Sequence, residues 1–556
     1  MPSEKHLATD QAAWSLVDRS FVLCIALLGV LVLCAFPFVA HAFLPAGDAT
    51  ILFQFSRNLA HTGAITFVPS GPHAEGATDF AWMVLIALGI KLGIAPLLQV
   101  ALLSMLSLVG IAVLLLKLAN RPLKPLPVLF LVGVFALMPQ LFSAALGFSA
   151  YAFAFLLVLL AYSFLQQNDV ATPLVALVLC LFRPDGIVFA APVLVTALIL
   201  FPRKQRCLLR CTLLFVLPGL VYFFWRWHYF GQMLPLPFYV KSNTPRLLHL
   251  VVESSVADGR RLGWFSAIVL VFALRGHMTN VRNRAVLLCF MVLPTCFYFA
   301  MRLDQDIALR FFVYMPTGVA ILLAMNYDDI RPRLPMLLKL GLAAWVLLVC
   351  KPWVQGEQLV ATDRAEQAAS IGEGLARLPA GTLITTEAGE LPYYSHWTSY
   401  DAWGLNTAAF AHRLFQPSDV AAIHPDLILV YISSSQCSPQ SDWRTPYKDR
   451  DWENLTRNII AGADPAEFDL MLSPVENDRT LARAHIEPWQ GEQFCWFVRR
   501  DSPLHDGIVG VLKQHHALSG AQYATLSPPV MSAPAETAPP PTALQQFFRF
   551  LMLPLH

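Results

Sequence analysis

Charge is what this chain has least of. Lysine, arginine, aspartate and glutamate make up 14% of its 556 residues, while 56% are hydrophobic. A soluble domain carries about 25% charged residues, so the composition excludes an ordinary soluble protein and indicates a polytopic membrane protein. Basic runs are missing as well: the formal net charge is +2, and no stretch has the Lys/Arg density that nucleic acid requires. The ten cysteines show neither CxxC nor Cys/His spacing, which removes a structural zinc site. "MPSEKHLATDQAAWSLVDRS" lacks the basic start and small-residue cleavage site of a signal peptide, so the first apolar run is expected to be retained.

What is there is a series of apolar runs. A span needs about 20 apolar residues, and reading for them gives about eleven segments. They lie near 21–43, 96–117, 126–145, 148–166, 170–183, 186–202, 208–228, 262–275, 285–301, 310–326 and 334–351. Basic residues set the orientation. Lys117, Arg121 and Lys124 follow the second run, "RKQRCLLR" the sixth, Arg275, Arg282 and Arg284 the eighth, and Arg331 and Arg333 the tenth. These exits share one side if the N-terminus is cytoplasmic. An odd number of spans then puts everything after Lys351 on the extracytoplasmic face.

Two stretches of the first outer loop, roughly Leu44 to Ala95, are expected to lie along the membrane. In "GDATILFQFSRNLAHTG" the apolar Ile51, Phe55 and Leu59 alternate with Gln54, Arg57, Asn58 and His61, the pattern of an amphipathic interfacial helix. "DFAWMVLIALGIKLGI" is about 16 residues long, carries Lys91, and would upset the charge parity as a full span. The expected domains are a cytoplasmic tail, 1–20, and a transmembrane module, 21–351. An extracytoplasmic α/β domain follows at 352–520, then a Pro/Ala-rich linker with an apolar tail, 521–556. The α/β reading rests on helical periodicity in "ATDRAEQAASIGEGLARL" and strand-like "GTLITT" and "DLILVYI". Cys437 and Cys495 fall in that polar third and become a candidate disulfide if it lies outside the cytoplasm.

The residues that can carry chemistry gather on the outer side. Asp48, at the mouth of the first span, reads as a helix N-cap or as a catalytic acid, and the two roles are compatible. Glu75 and Asp79 return toward the membrane in "HAEGATDFAW". "LFRPDGIVFA" offers Arg183 beside Asp185, either as an internal pair at a Pro/Gly hinge or as a fixed cation for a lipid phosphate. Lys241, Arg302 and Arg310 are further outer-face cations. The "DQD" of Asp304 and Asp306 resembles a metal-binding DxD, but such triplets are common in loops. A divalent metal, Mg or Mn, is therefore not favoured, and no cofactor is assigned.

Five blocks in order bring a family into view. They are "GDATILFQFSRNLAHTGAITFVPSGPHAEGATDFAW", "FRPDG", "YFGQMLPLPFYVK", "RFFVYMP" and "EAGELPYYSHWTSYDAWGLN". Together they resemble the bacterial arabinofuranosyltransferase-like branch of the GT-C glycosyltransferases, integral membrane enzymes that use polyprenyl-phosphate sugars. The resemblance implies a GT-C-like membrane fold in the plasma (inner) membrane. It also implies transfer of arabinofuranose or another pentose or hexose from a polyprenyl-phosphate donor to a cell-envelope glycan, lipid or protein. Asp48 holds the second position of the family's acidic pair and Gly47 the first, leaving Asp48 as that pair's sole acid. Catalysis is then expected from Asp48 and Glu75, with the donor phosphate held by Arg183, Lys241 and Arg310. Arg57, Asp79, Tyr239, Glu387, Tyr393 and Asp401 become candidates for substrate contact, domain folding being the competing role for the last three. The rival reading is a transporter or flippase whose intramembrane charges line a path. A catalytically dead glycan binder is a third.

The topology is directly testable. A reporter fused after Lys351 should read extracytoplasmic, and one fused within "RKQRCLLR" cytoplasmic. A cytoplasmic C-terminal domain would remove an outer-face enzyme altogether.

Overall fold

The computed structural model describes residues 45–69, 71–124, 127–128, 131–132, 147–242, 263, 266–267, 280–300, 310–330, 367–432, 437–438, 450–474, 493–520 and 522. The expected spans 21–43 and 334–351, most of 126–145 and 262–275, the tail 1–20, nearly all of 521–556 and the residues Arg302, Asp304 and Asp306 lie outside the described residues. The chain divides into two compact units, Met1–Val349 and Cys350–His556.

The first unit is helical. Among the described residues its main helices are α1 (Gly47–Thr62), α2 (Phe80–Lys91), α3 (Pro96–Leu118), α4 (Ala150–Leu165), α5 (Ala171–Phe182), α6 (Ile187–Leu200), α7 (Lys204–Phe230), α8 (Leu236–Ser242), α9 (Val281–Leu287, continued by a π turn into Leu293–Ala300) and α10 (Tyr314–Met325). Among the described residues three helices are long and apolar enough to cross a membrane: Pro96–Leu118, Lys204–Phe230 and Val281–Tyr298. Chain chemistry sets the ends. Gly63 closes α1 in the left-handed region at φ 75°, its N–H returning to the Leu59 carbonyl. Arg183 ends α5 because the proline after it forces an extended backbone, here φ −151° and ψ 133°. The following turn, Pro184–Gly186, packs so tightly on α5 that a Cβ on Gly186 would lie 2.6 Å from the Leu179 carbonyl oxygen. The hinge therefore folds α6 back beside α5. Phe189 anchors that packing, 5.9 Å from Phe153 and 5.7 Å from Tyr314 between ring centres.

One expectation for α1 is corrected. Of the polar positions expected to face water or headgroups, His61 is exposed and Arg57 partly so, yet Gln54 and Asn58 are buried, as is Ser56 between them. They hold the chain that returns from α1. Gln54 Nε2 donates to the Phe67 carbonyl at 2.8 Å, Asn58 Nδ2 to Thr66 at 2.8 Å, and Ser56 Oγ to Met83 at 3.0 Å. Phe67 and Thr66 lie in the returning loop, whose carbonyls need donors, and Gln54 and Asn58 supply them from one face of α1; Ser56, on another side of the helix, ties it to α2 through Met83. Phe55 is fully buried on the same helix.

Among the described residues the second unit holds a mixed six-stranded sheet with helices. Its strands are β1 (Thr382–Thr385), β2 (Thr398–Asp401), β3 (Leu427–Ile432), β4 (Phe468–Pro474), β5 (Gln493–Arg499) and β6 (Leu518–Ser519), in the order β2-β1-β3-β5-β4-β6. β1 runs parallel to β2 and β3, whereas β5 is antiparallel to β3 and β4. "LILVYI" is buried at every position, as a central strand covered on both faces requires. Cys437 and Cys495 are disulfide-bonded, with Cα atoms 6.2 Å apart. Asp401, at the end of β2, builds the loop after it. Its carboxylate accepts from the Trp403 N–H at 3.0 Å, the Asn406 N–H at 2.9 Å and Asn406 Nδ2 at 3.0 Å. Burial pushes this carboxyl up to about 6, against the pull of those donors.

Candidate functional site

Asp48 occupies the first turn of α1, where the helix dipole favours a carboxylate. It is not the cap: Ala46 holds that position without any side-chain hydrogen bond. Its Oδ2 instead accepts from Nη2 of Arg310, just ahead of α10. The Asp48 side chain is 33% exposed and that of Arg310 12%, so the carboxylate faces the open side of the contact. The Arg310 guanidinium lies over the rings of Phe148 at 4.3 Å and Phe311 at 5.1 Å. Gly147 makes the approach of Phe148 feasible. Its φ is +103°, and a Cβ there would meet the Ala49 Cβ at 2.8 Å.

Arg183 sits behind Arg310. It is buried between Phe153 (4.7 Å) and Phe311 (4.8 Å), and it forks onto Asp185 through Nε (3.0 Å) and Nη2 (2.6 Å). Nη1 donates to the backbone carbonyl of Arg310 at 3.1 Å, and the Tyr298 hydroxyl donates to Asp185 Oδ2. Of its two expected roles, the internal pair is the one on display. Arg183 fixes the main chain that carries Arg310.

Asp79 closes the cluster from α2. Ser149 Oγ donates to its Oδ2 at 3.1 Å. Burial pushes the Asp79 carboxyl up, Arg183 opposes that, Asp185 adds to it and Arg310 opposes it. Four expected site residues, Asp48, Asp79, Arg183 and Arg310, thus come from distant segments into one electrostatic neighbourhood.

Glu75 belongs to a second cluster. Its two oxygens accept from Arg226 Nε at 2.9 and 3.0 Å and from Nη2, while Arg226 Nη1 donates to the Met233 carbonyl at 2.6 Å. The Leu236 N–H reaches the Glu75 carbonyl at 3.2 Å. This ties the outer loop to the loop before α8, where the Tyr239 hydroxyl accepts from the Leu234 N–H at 3.1 Å. Lys241 lies in α8, and its side chain lies outside the described residues. Arg57 donates to Gln54 Oε1. Glu387, Tyr393 and Asp401 fall in the second unit: Glu387 follows β1, Tyr393 is on helix Glu390–Ser395, and Asp401 ends β2. Among the described residues no group of three or more His, Cys, Asp and Glu side chains is placed to hold a metal ion.

A family model described as a domain of unknown function, DUF8728, matches residues 357–480. No curated protein matches. Among solved structures, ArnT from Cupriavidus metallidurans bound to undecaprenyl phosphate is 14% identical with a TM-score of 0.49, covering 74% of this chain and 93% of that one. The same protein in the apo state is 14% identical with a TM-score of 0.47, covering 73% and 92%. Both scores are too low for either likeness to carry an assignment.

Arg226, Ser149 and Tyr298 were not singled out from the sequence. For Arg226 a signal existed: it is the one Arg or Lys between Arg210 and Lys241, set in the apolar "YFFWRWHYF". A lone intramembrane arginine marks a partner elsewhere. The Arg226–Glu75 pair is nearly enclosed, its side chains 5% and 9% exposed. Removing one member strands a buried charge, so Glu75→Gln and Arg226→Met should each destabilise by about 3–5 kcal/mol. The double variant should recover much of the loss. Thermal unfolding in detergent checks this, and simple addition of the two losses would show that the residues do not act as a pair.

Proposed function

We propose that this chain is a GT-C-type membrane glycosyltransferase. It takes a sugar from a polyprenyl-phosphate carrier and attaches it to a glycan, lipid or protein acceptor at the outer face of a bacterial plasma membrane. The observation that carries the reading is the contact of Asp48 with Arg310: a half-open carboxylate at a helix start, held against a guanidinium that aromatic rings shield. Transfer of a sugar from a phosphate needs those two groups, a base for the incoming hydroxyl and a cation for the departing phosphate. Undecaprenyl phosphate, bound in one of the ArnT structures, is a polyprenyl phosphate.

In the proposed step the acceptor oxygen attacks the anomeric carbon while its proton passes to Asp48. The bond from that carbon to the phosphate oxygen breaks, its electron pair staying on the phosphate. Arg310 balances the charge gathered there, and Lys241 is the second candidate for that task. Arg183 works through Arg310, holding its backbone. We assign Glu75 to tying the loop, because its oxygens are engaged by Arg226. Arabinofuranose is the first sugar to try, on the strength of the sequence resemblance.

Asp48→Asn keeps the size of the side chain and removes its basicity. With the full chain in nanodiscs and polyprenyl-phosphate arabinofuranose or a related carrier, transfer should fall by about 10²–10⁴-fold. Thermal stability should be retained, and donor binding should not weaken. Turnover close to the unsubstituted enzyme would contradict the assignment and move the base to Asp79.

A further inference from the structure

The cluster around Arg310 poses an electrostatic problem for any phosphate. Asp48, Asp79 and Asp185 face two guanidiniums, Arg183 and Arg310, among the described side chains. Even with Asp79 protonated the charges only balance. A phosphate monoester or diester that docks on Arg183 or Arg310 would therefore meet a cation that already has a carboxylate partner, and it has to break that pair.

The two pairs differ in how readily they break. Arg183 is bidentate on Asp185, enclosed between two rings, and its partner also accepts from Tyr298. Separating it would strand two desolvated charges, which is strongly unfavourable. Arg310 meets Asp48 through Nη2, and Asp48 is 33% exposed, so water can solvate the carboxylate as soon as it is released. The Arg310 guanidinium keeps its ring contacts, and Arg183 keeps hold of its carbonyl, whichever anion it faces.

We propose that the donor phosphate displaces Asp48 from Arg310, so that arrival of the lipid carrier releases the base. The idea rests on the reading of the site given above and adds an ordering to it. Without the carrier, the carboxylate is held by the cation and is a poor proton acceptor. With the carrier bound, the cation serves the phosphate and the carboxylate turns to the acceptor hydroxyl.

Competition for one cation predicts a specific non-additivity. The full chain in nanodiscs would be titrated with undecaprenyl phosphate, comparing Asp48→Asn, Arg310→Gln and the double variant. Asp48→Asn should tighten binding by about tenfold, and in the Arg310→Gln background it should change binding little. Equal tightening in both backgrounds would mean general charge repulsion and would overturn the exchange. Weaker binding on Asp48→Asn would overturn it too. Failure of the unsubstituted protein to bind undecaprenyl phosphate or its sugar-bearing form would instead sink the underlying transferase reading.

A second measurement covers the case in which Arg310→Gln does not fold. Carbodiimide labelling of Asp48 in the unsubstituted protein, read by mass spectrometry, should rise several-fold when undecaprenyl phosphate is added. Plain occlusion by the ligand would lower it and reject the proposal.

Discussion

The carboxylate–guanidinium contact between Asp48 and Arg310 joins chain segments 262 residues apart, and much of the first unit is arranged to make it. Gly147 lets the start of α4 press on α1, which brings Phe148 under the guanidinium. The Arg183-Pro184 break ends α5 and leaves Arg183 extended, where it can reach the Arg310 carbonyl. Asp185 and Tyr298 then satisfy Arg183 so that it can stay buried. Each of these features answers a cost that the one before it creates. Burying a cation demands an anion, and the anion demands a donor.

The Arg226–Glu75 pair does a parallel job for the loops. It spans 151 residues and closes the return of the outer loop onto the segment between α7 and α8. Buried polar ties of this kind add little net stability compared with apolar packing, yet they fix register, because no other arrangement satisfies both charges. The buried polar side chains of α1, Gln54, Ser56 and Asn58, act the same way. A site built on such ties holds its reacting groups in place before any substrate arrives.

Local pattern made the elements legible and left the partnerships hidden. The apolar run near 96–117 is α3, the interruption "LFRPDG" is the turn between α5 and α6, and "GTLITT" and "DLILVYI" are β1 and β3. Those features depend on neighbours in sequence: hydrophobic periodicity, a proline, β-branched residues. Which carboxylate meets which guanidinium depends on tertiary packing, and no spacing encodes a contact across 262 residues. The buried polar face of α1 misled for a related reason. A 3.6-residue alternation shows that two faces differ, and it does not say whether the polar one meets water or an unpaired loop carbonyl.

The account turns on Arg310 changing partners at the mouth of the bundle. A structure of the full chain with undecaprenyl phosphate bound, solved by electron microscopy in nanodiscs, tests it most directly. The predicted result is the phosphate within about 3 Å of the Arg310 guanidinium, with the Asp48 carboxylate turned away from it and open to the outer side. A phosphate bound elsewhere, with Arg310 still paired to Asp48, would contradict it.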